Sequence, residues 1–484
     1  MARVVILGAG ISGHTAAAFL RKWLGRQGEV VMISPSPTYN WIPSNIWVGV
    51  GLLPKRSVQF NLAPVYRKAG VEFKQARATA IFPEGTEAGP QPAVEFEWTL
   101  EGKAGQRERI AYDFLVNATG PKLNFAATEG LGPGQNSLSV CTADHAEETA
   151  RAFLHNVERM KKGERRRFLV GVGHGTCTCE GAAFEYVVNL EFELRRHGVR
   201  DMADVVFLTN EYDLGDFGVG GLYMRDGGYV TPGRLFAESL FAERGIRTIT
   251  RAHVRRVNRA SVEIEQLDGT LGEVPFDMAM LLPPFRGVGL QAFDARGGDI
   301  TDRVFAPNGF QRVDADYEKK PYSKWSARDW PRYYQSPAYP NLFAAGIAFA
   351  PPHAISEPHS TADGTAISPA PPRTGMPSAM IGKAVARSIV DTIRGKKDPL
   401  HSASMAEMGA ACVASAGANP FTGTAASITV YPIVPDFERY PEYGRDLSST
   451  WGEIGLAGHW IKILLHHMFL YKAHLRPGWA LIPE

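Results

Sequence analysis

This 484-residue chain lacks several features that would assign a protein to a class at once. It has only 4 cysteines, too few for a disulfide framework. Its formal net charge of +2 gives no electrostatic reason to expect a nucleic acid partner. No run of 18 apolar residues occurs, which excludes a conventional transmembrane helix. A strand is expected over residues 2–8, so no signal peptide is predicted, and no metal site is predicted either.

The first motif is a glycine-rich turn that follows a short apolar segment, residues 4–7. Its sequence at residues 8–13 is Gly-Ala-Gly-Ile-Ser-Gly, and an alanine-rich stretch then predicts a helix. Gly8 permits the tight turn, Gly10 lets a pyrophosphate approach the backbone, and Gly13 lets helix and strand pack closely. The helix N-terminus offers N–H groups to the phosphates. The chain is therefore predicted to bind a dinucleotide.

The acidic residue that usually accompanies this motif is missing. The second strand, residues 30–33, ends at Ser34, about 20 residues past the glycines, where an Asp or Glu usually binds the ribose. A serine hydroxyl would bind the ribose more weakly than a carboxylate. The pattern therefore predicts a dinucleotide more firmly than it predicts NAD.

Later segments repeat the pattern. An apolar strand leads into Ala-Thr-Gly at residues 118–120, a second signature of flavoproteins with two dinucleotide-binding domains, and residues 341–346 are typical of the strand that returns to the flavin. A second strand–glycine–helix unit begins at residue 167, with its helix predicted from about 181 to 197. The predicted fold class is α/β, with two Rossmann-like domains and a C-terminal appendage that contains an amphipathic helix.

The order of these signatures is similar to that of the pyridine nucleotide–disulfide reductase superfamily of FAD proteins. Within that superfamily the chain resembles the sulfide:quinone oxidoreductase family from residue 2 to about 475. The most specific match is Cys-Thr-Ala-Asp-His, which begins at Cys141. The segments that carry the resemblance are residues 43–51, 118–123, 141–146, 211–221 and 343–348.

The resemblance implies one FAD per chain and a division into three regions. We expect a discontinuous FAD-binding domain at residues 1–150 and 326–400, and a second Rossmann-like domain at 151–325. A C-terminal region for quinone and membrane association is expected at 401–484. The residues expected to bind FAD are Gly8, Gly10, Gly13, Ser34, Asn45, Thr119, Gly120, Gly346 and Arg373.

The resemblance also implies a redox-active cysteine pair. Counting back from Glu185 places one family cysteine on Cys179, and its partner is Cys412, 233 residues later. Because this glycine loop is one residue longer than the family's, Cys177 stays an alternative to Cys179. A thiol at a helix N-terminus is stabilised as the thiolate. The alternative interpretation is that each cysteine is a small buried apolar residue.

Two further residues are catalytic candidates by the same resemblance. Cys141 matches a third family cysteine, with a role in persulfide handling or product release. His145 follows it and is expected to exchange protons with quinone or sulfur species, although a histidine at a helix start also serves as a capping or surface residue.

The implied activity is FAD-dependent oxidation of sulfide to polysulfide or persulfide, with electrons passed to membrane quinone. One alternative is a flavin subunit that delivers electrons to a cytochrome, and another is an FAD-binding scaffold without turnover. The last is favoured by three departures from the family pattern, Asp216, Arg373 and Val413. The cysteines of the second glycine loop argue against an NADH-dependent reductase.

The segment 459–472 predicts an amphipathic helix. His459, Lys462 and His466 form one polar stripe on an otherwise apolar surface, which suits a helix lying in a membrane interface. Packing against the protein is the alternative. Because the family often has two such helices and this chain offers one, we expect a peripheral membrane protein whose attachment is either weaker or supplemented by homo-oligomerisation.

Overall fold

A computed structural model describes residues 1–178, 180–226, 228–372 and 374–484. In chain order the helices are α1 (Ile11–Leu24), α2 (Asn45–Gly49), α3 (Leu62–Ala69), α4 (Ala143–Lys161), α5 (Glu180–Arg196), α6 (Gly233–Glu243), α7 (Thr301–Val304), α8 (Gly375–Ile393) and α9 (Leu456–Ala473).

The strands, also in chain order, are β1 (Ala2–Leu7), β2 (Gly28–Ser34), β3 (Thr38–Asn40), β4 (Gln59–Asn61), β5 (Glu72–Phe82), β6 (Ala93–Trp98), β7 (Arg107–Ala111), β8 (Phe114–Asn117), β9 (Lys122–Leu123), β10 (Arg166–Val172), β11 (Ala203–Leu208), β12 (Tyr223–Asp226), β13 (Tyr229–Pro232), β14 (Ile246–Ile249), β15 (Ala252–Val257), β16 (Ser261–Gln266), β17 (Leu271–Pro275), β18 (Met278–Leu282), β19 (Phe285–Arg286), β20 (Gln291–Ala292), β21 (Leu342–Ala344), β22 (Ala410–Asn419), β23 (Thr422–Val430) and β24 (Trp451–Gly455).

The first sheet has the order β21-β8-β1-β2-β5-β6-β7. Its centre is parallel, from β21 through β8, β1 and β2 to β5. Residues 4–7 of β1 are fully buried, which is typical of a parallel strand covered on both faces. The chain therefore passes the same strand ends three times, at β1, β8 and β21, as the three signatures predict.

The second sheet, β14-β11-β10-β18, is parallel throughout. Helix α5 follows β10 and spans residues 180–196, one residue earlier than predicted. Both sheets have the Rossmann-like strand–turn–helix pattern at their first strand. The predicted α/β fold class is confirmed.

The C-terminal part contains a feature that the sequence did not indicate. Strands β22, β23 and β24 pair in an antiparallel arrangement, and β24 continues the sheet into β12 and β13 from the middle of the chain. Helix α9 follows β24 at once and packs against β22 and β23. The C-terminal appendage is thus joined to the central part of the chain by a shared five-stranded sheet.

Within the part of the chain that the structure describes, no helix is long and apolar enough to cross a membrane.

Candidate active site

The first glycine turn has the geometry that its three glycines predict. Gly8 has φ +95°, and a Cβ there would lie 2.4 Å from the carbonyl oxygen of Ala118. A Cβ on Gly13 would lie 1.9 Å from the Gly8 carbonyl oxygen, so helix α1 can pack this closely only with glycine. The turn, the helix and the end of β8 therefore form one closely packed corner.

The same corner leaves room and an unused hydrogen-bonding group for FAD. A Cβ on Gly10 would meet no atom within 4 Å, and the same is true of Gly120. The Ser12 hydroxyl is buried and has no hydrogen-bond partner among the described residues. Open space before the N-terminus of α1, beside an unsatisfied hydroxyl, fits the phosphates of a dinucleotide. The residues present fit FAD.

The third pass of the chain closes this corner. Gly346 has φ +64°, and a Cβ there would lie 2.6 Å from Cβ of Ser12. In α8, a Cβ on Gly382 would lie 2.4 Å from the Ser12 carbonyl oxygen. The glycines at positions 346 and 382 thus allow the return strand and α8 to approach α1. Arg373, just before α8, lies outside the described residues, so its predicted contact with the cofactor stays a prediction.

Other residues expected to bind FAD have these places. Ser34 is the last residue of β2 and is buried. The Thr119 hydroxyl donates to Asn117 Oδ1 at 2.8 Å. The Asn45 amide is fully buried and donates to the Val140 carbonyl at 3.1 Å while it pairs with Asn40. Asn45 therefore fixes the chain just before Cys141, and its predicted contact with the cofactor stays a prediction.

Cys412 lies beside the N-terminal end of α5. It stands in β22, and a Cβ on Gly181 would lie 3.3 Å from its sulfur. Gly181 is the second residue of α5. Cys179 immediately precedes α5 in the sequence but lies outside the described residues. The fold thus brings Cys412 to the helix end that the sequence places next to Cys179, across 233 residues.

A buried ion pair stands next to Cys412. Lys462 Nζ, from α9, lies 3.1 Å from both carboxylate oxygens of Glu185 in α5. Their side chains are only 12% and 9% exposed. Burial and, to a smaller extent, the Glu185 charge raise the pKa of the Cys412 thiol to about 12, although the Lys462 charge opposes the rise. Reduced Cys412 is therefore a thiol at neutral pH.

Cys177 has a different setting. It is fully buried, and its thiol donates to the carbonyl oxygen of Leu282 at 3.1 Å. Leu282 ends β18 in the second sheet. This contact gives Cys177 a place in the packing of the glycine loop, and the choice of Cys179 over Cys177 as the redox-active residue stays a prediction.

Cys141 and His145 lie at the start of α4. Thr142 is the N-cap, and its hydroxyl accepts from the His145 backbone N–H at 3.1 Å, so the imidazole is not the cap. The His145 ring packs edge-on against Phe125, and its buried Nδ1 has no partner among the described residues. Burial lowers the pKa of His145 and raises that of Cys141 to about 11. Both groups are therefore neutral at pH 7.

Helix α2 ties the cysteine-bearing segments together. Besides the Asn45 contact with residue 140, the Trp47 indole donates to the Ser415 carbonyl at 3.4 Å, three residues past Cys412. The Gly49 carbonyl accepts from the Tyr186 hydroxyl of α5 at 3.3 Å. This short helix, which lies in the segment 43–51 that carries the family resemblance, thus contacts the neighbourhoods of Cys141, Cys412 and α5.

Asp216 shapes its own loop. Its carboxylate accepts from the backbone N–H groups of Gly218 at 2.9 Å and Gly221 at 2.7 Å, and from the Ser356 hydroxyl. Burial raises its pKa. The nearby Arg445 guanidinium is also buried and donates to four backbone carbonyls. The aspartate at this position is therefore part of a fully hydrogen-bonded loop.

Helix α9 presents its polar stripe inward. His459 is bonded to Ser415 Oγ at 2.6 Å, and His466 to Ser44 Oγ at 2.8 Å, while Lys462 lies between them. Trp460, Ile461 and Leu464 point outward and are 53%, 44% and 60% exposed. Phe421, at the tip of the β22–β23 hairpin, is 88% exposed. The Trp460 indole donates to the carbonyl of Pro420, which precedes Phe421. Polar groups hold the first part of the helix and Trp460, Ile461 and Leu464 face away from the protein, whereas Phe469 farther along stacks on Trp41.

Comparisons with known proteins agree with this geometry. Residues 2–205 match the family described as pyridine nucleotide-disulphide oxidoreductase. The chain is 29% identical to the sulfide-quinone reductase of Aquifex aeolicus, over 97% of this chain and 90% of that protein. A crystal structure of the sulfide:quinone oxidoreductase from the same bacterium superimposes with a TM-score of 0.74 at 27% identity, covering 98% of this chain and 92% of that one.

A second relative matches over a shorter stretch. The mitochondrial sulfide:quinone oxidoreductase of Dictyostelium discoideum is 25% identical over 208 residues, which is 42% of this chain and 41% of that protein. The fold, the glycine turn and these similarities make the chain an FAD-binding oxidoreductase whose N-terminal part is similar to the pyridine nucleotide-disulphide oxidoreductases. Over nearly its whole length it is similar to sulfide:quinone oxidoreductases, as its motifs predict.

Two elements of the site were not predicted from sequence: the Lys462–Glu185 ion pair and the fixing of the Cys141 segment by Asn45. Each joins residues far apart in the chain. The polar stripe of α9 was the available signal for the ion pair. Polar residues at helical spacing can face buried polar partners as well as solvent.

Proposed function

We propose that the chain oxidises sulfide at a Cys179–Cys412 pair and passes the electrons to membrane quinone. The observation that carries this proposal is the position of the Cys412 sulfur at the start of α5, directly after Cys179 in sequence. The relatives named for sulfide and quinone support the substrates.

The sulfur step uses the chain's own thiols. In the oxidised enzyme, hydrosulfide attacks one sulfur of the Cys179–Cys412 disulfide. The S–S bond breaks, a persulfide forms on the attacked cysteine, and the other cysteine leaves as a thiolate. The N-terminus of α5 favours a thiolate at this helix end, and the charge of Lys462 offsets part of the rise in the pKa of Cys412 that burial and Glu185 cause. Bound FAD supplies a two-electron acceptor for the reduced sulfur and a donor to quinone.

The remaining predicted roles depend on this step. Cys141 is proposed to handle persulfide or release the product, and His145, neutral and with a buried unsatisfied nitrogen, to exchange protons. Asp216, one of the departures from the family pattern, organises its own loop through hydrogen bonds with two backbone N–H groups.

Anaerobic sulfide titration tests the proposal. We expect flavin absorbance to bleach on addition of sulfide, and Cys412→Ser or Cys179→Ser to abolish the bleaching. Cys177→Ser is the matched control and should retain most of it. A silent Cys179 with an essential Cys177 would show that the alignment across this loop is wrong. Comparing decylubiquinone with cytochrome c as acceptor decides between the quinone reductase and the cytochrome-linked alternative, and no bleaching at all would favour the scaffold.

We also propose that the outward side of α9 and the tip at Phe421 contact the membrane. The inward polar stripe supports this, because it leaves the side chains of Trp460, Ile461 and Leu464 largely exposed on the outward side of the helix. The triple variant Trp460→Ser, Ile461→Ser and Leu464→Ser should reduce co-sedimentation with liposomes and turnover with lipid-embedded quinone.

The control replaces three exposed leucines elsewhere, Leu154, Leu235 and Leu271, which are 39%, 47% and 61% exposed. We expect this control to bind liposomes like the wild type, and both variants to keep sulfide-driven flavin bleaching. Equal loss of binding in the two variants would show that general surface hydrophobicity, not α9, drives attachment.

A further inference from the structure

Glu180, the first residue of α5, places a carboxyl group in the interior of the protein. It is fully buried, and neither carboxyl oxygen has a hydrogen-bond partner among the described residues. An ionised carboxylate in this state would lose its hydration without compensation. The group therefore requires either a proton or a donor.

Asn210 lies beside Glu180, and its side-chain oxygen also lacks a hydrogen-bond donor among the described residues. Its side-chain nitrogen donates to the carbonyl oxygens of Gly175 at 3.1 Å and Cys177 at 3.3 Å. These two carbonyls fix which end of the amide is nitrogen. Its Oδ1, also buried, is left without a donor among the described residues. Two adjacent buried acceptors that both lack a donor are satisfied together by one proton.

The charged neighbours keep that proton on Glu180. Glu211 accepts from Thr209 Oγ1 at 2.7 Å and from two backbone N–H groups, so its oxygens are already supplied with donors. Asp216 is supplied in the same way, and Arg445 faces Asp216. Burial and the charge of Glu211 raise the pKa of Glu180 well above its usual value, and the opposing effects of its own backbone and of Asn210 are smaller. Burial also raises the pKa of Glu211 to about 7. Farther along α5, Glu185 is paired with Lys462.

We propose that Glu180 is a positioning residue that carries a proton at neutral pH and donates it to Asn210 Oδ1. Asn210 in turn holds the carbonyls of residues 175 and 177, so the protonated acid supports the loop that leads into Cys179. Ionisation of Glu180 removes that donor, leaves two repelling acceptors and loosens the loop. This inference rests on the proposed sulfur chemistry only for its effect on activity.

The first test measures the proton without any turnover. Difference infrared spectra at pH 8 should show a protonated carboxylic acid band in the wild type that is absent in Glu180→Gln. Thermal unfolding gives a second measure. Because the folded pKa of Glu180 lies above its unfolded value, wild-type stability falls with rising pH once the unfolded residue ionises. The midpoint of Glu180→Gln minus that of the wild type should therefore grow from pH 5 to pH 8, and a constant difference would overturn the proposal.

The second test measures positioning. The side-chain amide introduced by Glu180→Gln can still donate to Asn210, whereas Glu180→Ala leaves Asn210 unpaired. We therefore expect anaerobic flavin reduction by sulfide to fall roughly tenfold in the alanine variant. Glu180→Gln should rescue most of this loss, and its rate relative to the wild type should rise with pH. Glu193→Gln, a buried acid of α5 paired with Arg196, is the control and should show a constant ratio.

The outcomes separate the two proposals. A wild type that has the infrared band and the pH-dependent stability but does not reduce its flavin with sulfide would refute the proposed function and support the protonated Glu180. An active wild type with no such band, or with Glu180→Gln and Glu180→Ala equally slow at every pH, would refute the inference and leave the proposed function standing.

Discussion

Replacing Lys462 by Met should destabilise the protein in a pH-dependent way. The side chains of Lys462 and Glu185 are 12% and 9% exposed, so the substitution leaves a carboxylate almost without solvent. Removing one partner of a buried ion pair costs about 3–5 kcal/mol. Glu185 can limit the loss by taking up a proton. Protonating a carboxyl group whose pKa is 4.5 costs about 1.4 kcal/mol per pH unit above that pKa, or about 3.4 kcal/mol at pH 7.

The expected loss is therefore at most about 3 kcal/mol at pH 7, since burial already raises the pKa of Glu185 in the wild type. The sign follows from linkage. In Lys462→Met the pKa of Glu185 in the folded protein rises further. The loss of stability is therefore small near pH 5 and grows as the pH rises above the pKa of Glu185 in the folded wild type. The double variant Glu185→Gln/Lys462→Met removes the buried charge and should recover most of the loss.

Urea denaturation of the holoenzyme at pH 5 and pH 8, followed by tryptophan and flavin fluorescence, measures this. Lys161→Met is the control because its pair with Glu158 lies at the surface, with side chains 44% and 63% exposed, and it should leave the stability nearly unchanged at both pH values. An equal loss for Lys462→Met at both pH values would mean that lost packing, not charge, is responsible. No rescue in the double variant would refute the ion-pair argument.

Three further outcomes are expected. Gly10→Ala should fold normally by circular dichroism but lose most bound flavin, because its Cβ meets only open space where the pyrophosphate is expected; a full flavin content would contradict that placement. Gly13→Ala should instead destabilise the fold itself, since its Cβ would overlap the Gly8 carbonyl, and normal thermal stability would contradict it. Because the thiol pKa of Cys412 is raised to about 12, its alkylation by iodoacetamide in reduced enzyme should still be rising at pH 10, and Glu185→Gln should speed it at pH 8, as mass spectrometry of the labelled peptide would show.

Much of the fold follows from local patterns. The apolar run at residues 4–7, the glycine turn and the alanine-rich α1 are each determined within a few residues, and α5 and α9 were placed within three residues of their ends. Such segments can be predicted because the spacing of their apolar residues and the residues of the adjoining turns indicate the same secondary structure.

The unpredicted parts depend on distant partners. Residues 410–419 read Ala-Ala-Cys-Val-Ala-Ser-Ala-Gly-Ala-Asn, small residues with weak strand preference, and become β22 by pairing with β23 and packing under α5. The polar stripe of α9 was recognised, but its direction was not, because nothing near Lys462 in sequence reveals Glu185. No local pattern pairs Glu180 with Asn210 either, because the two residues lie thirty positions apart, one at the start of α5 and the other just after β11.

The anchoring of α9 limits how this protein can meet a lipid surface. A helix held by His459, Lys462 and His466 cannot leave the fold to insert alone without exposing three buried polar contacts. Landing on a bilayer would therefore be a rigid-body event, with no gain of helical structure on contact with vesicles. The thickness of one helix, about 10 Å, would then separate the lipid from the strand that carries Cys412. The reaction site would stand at a constant height above the membrane, whatever the lipid composition.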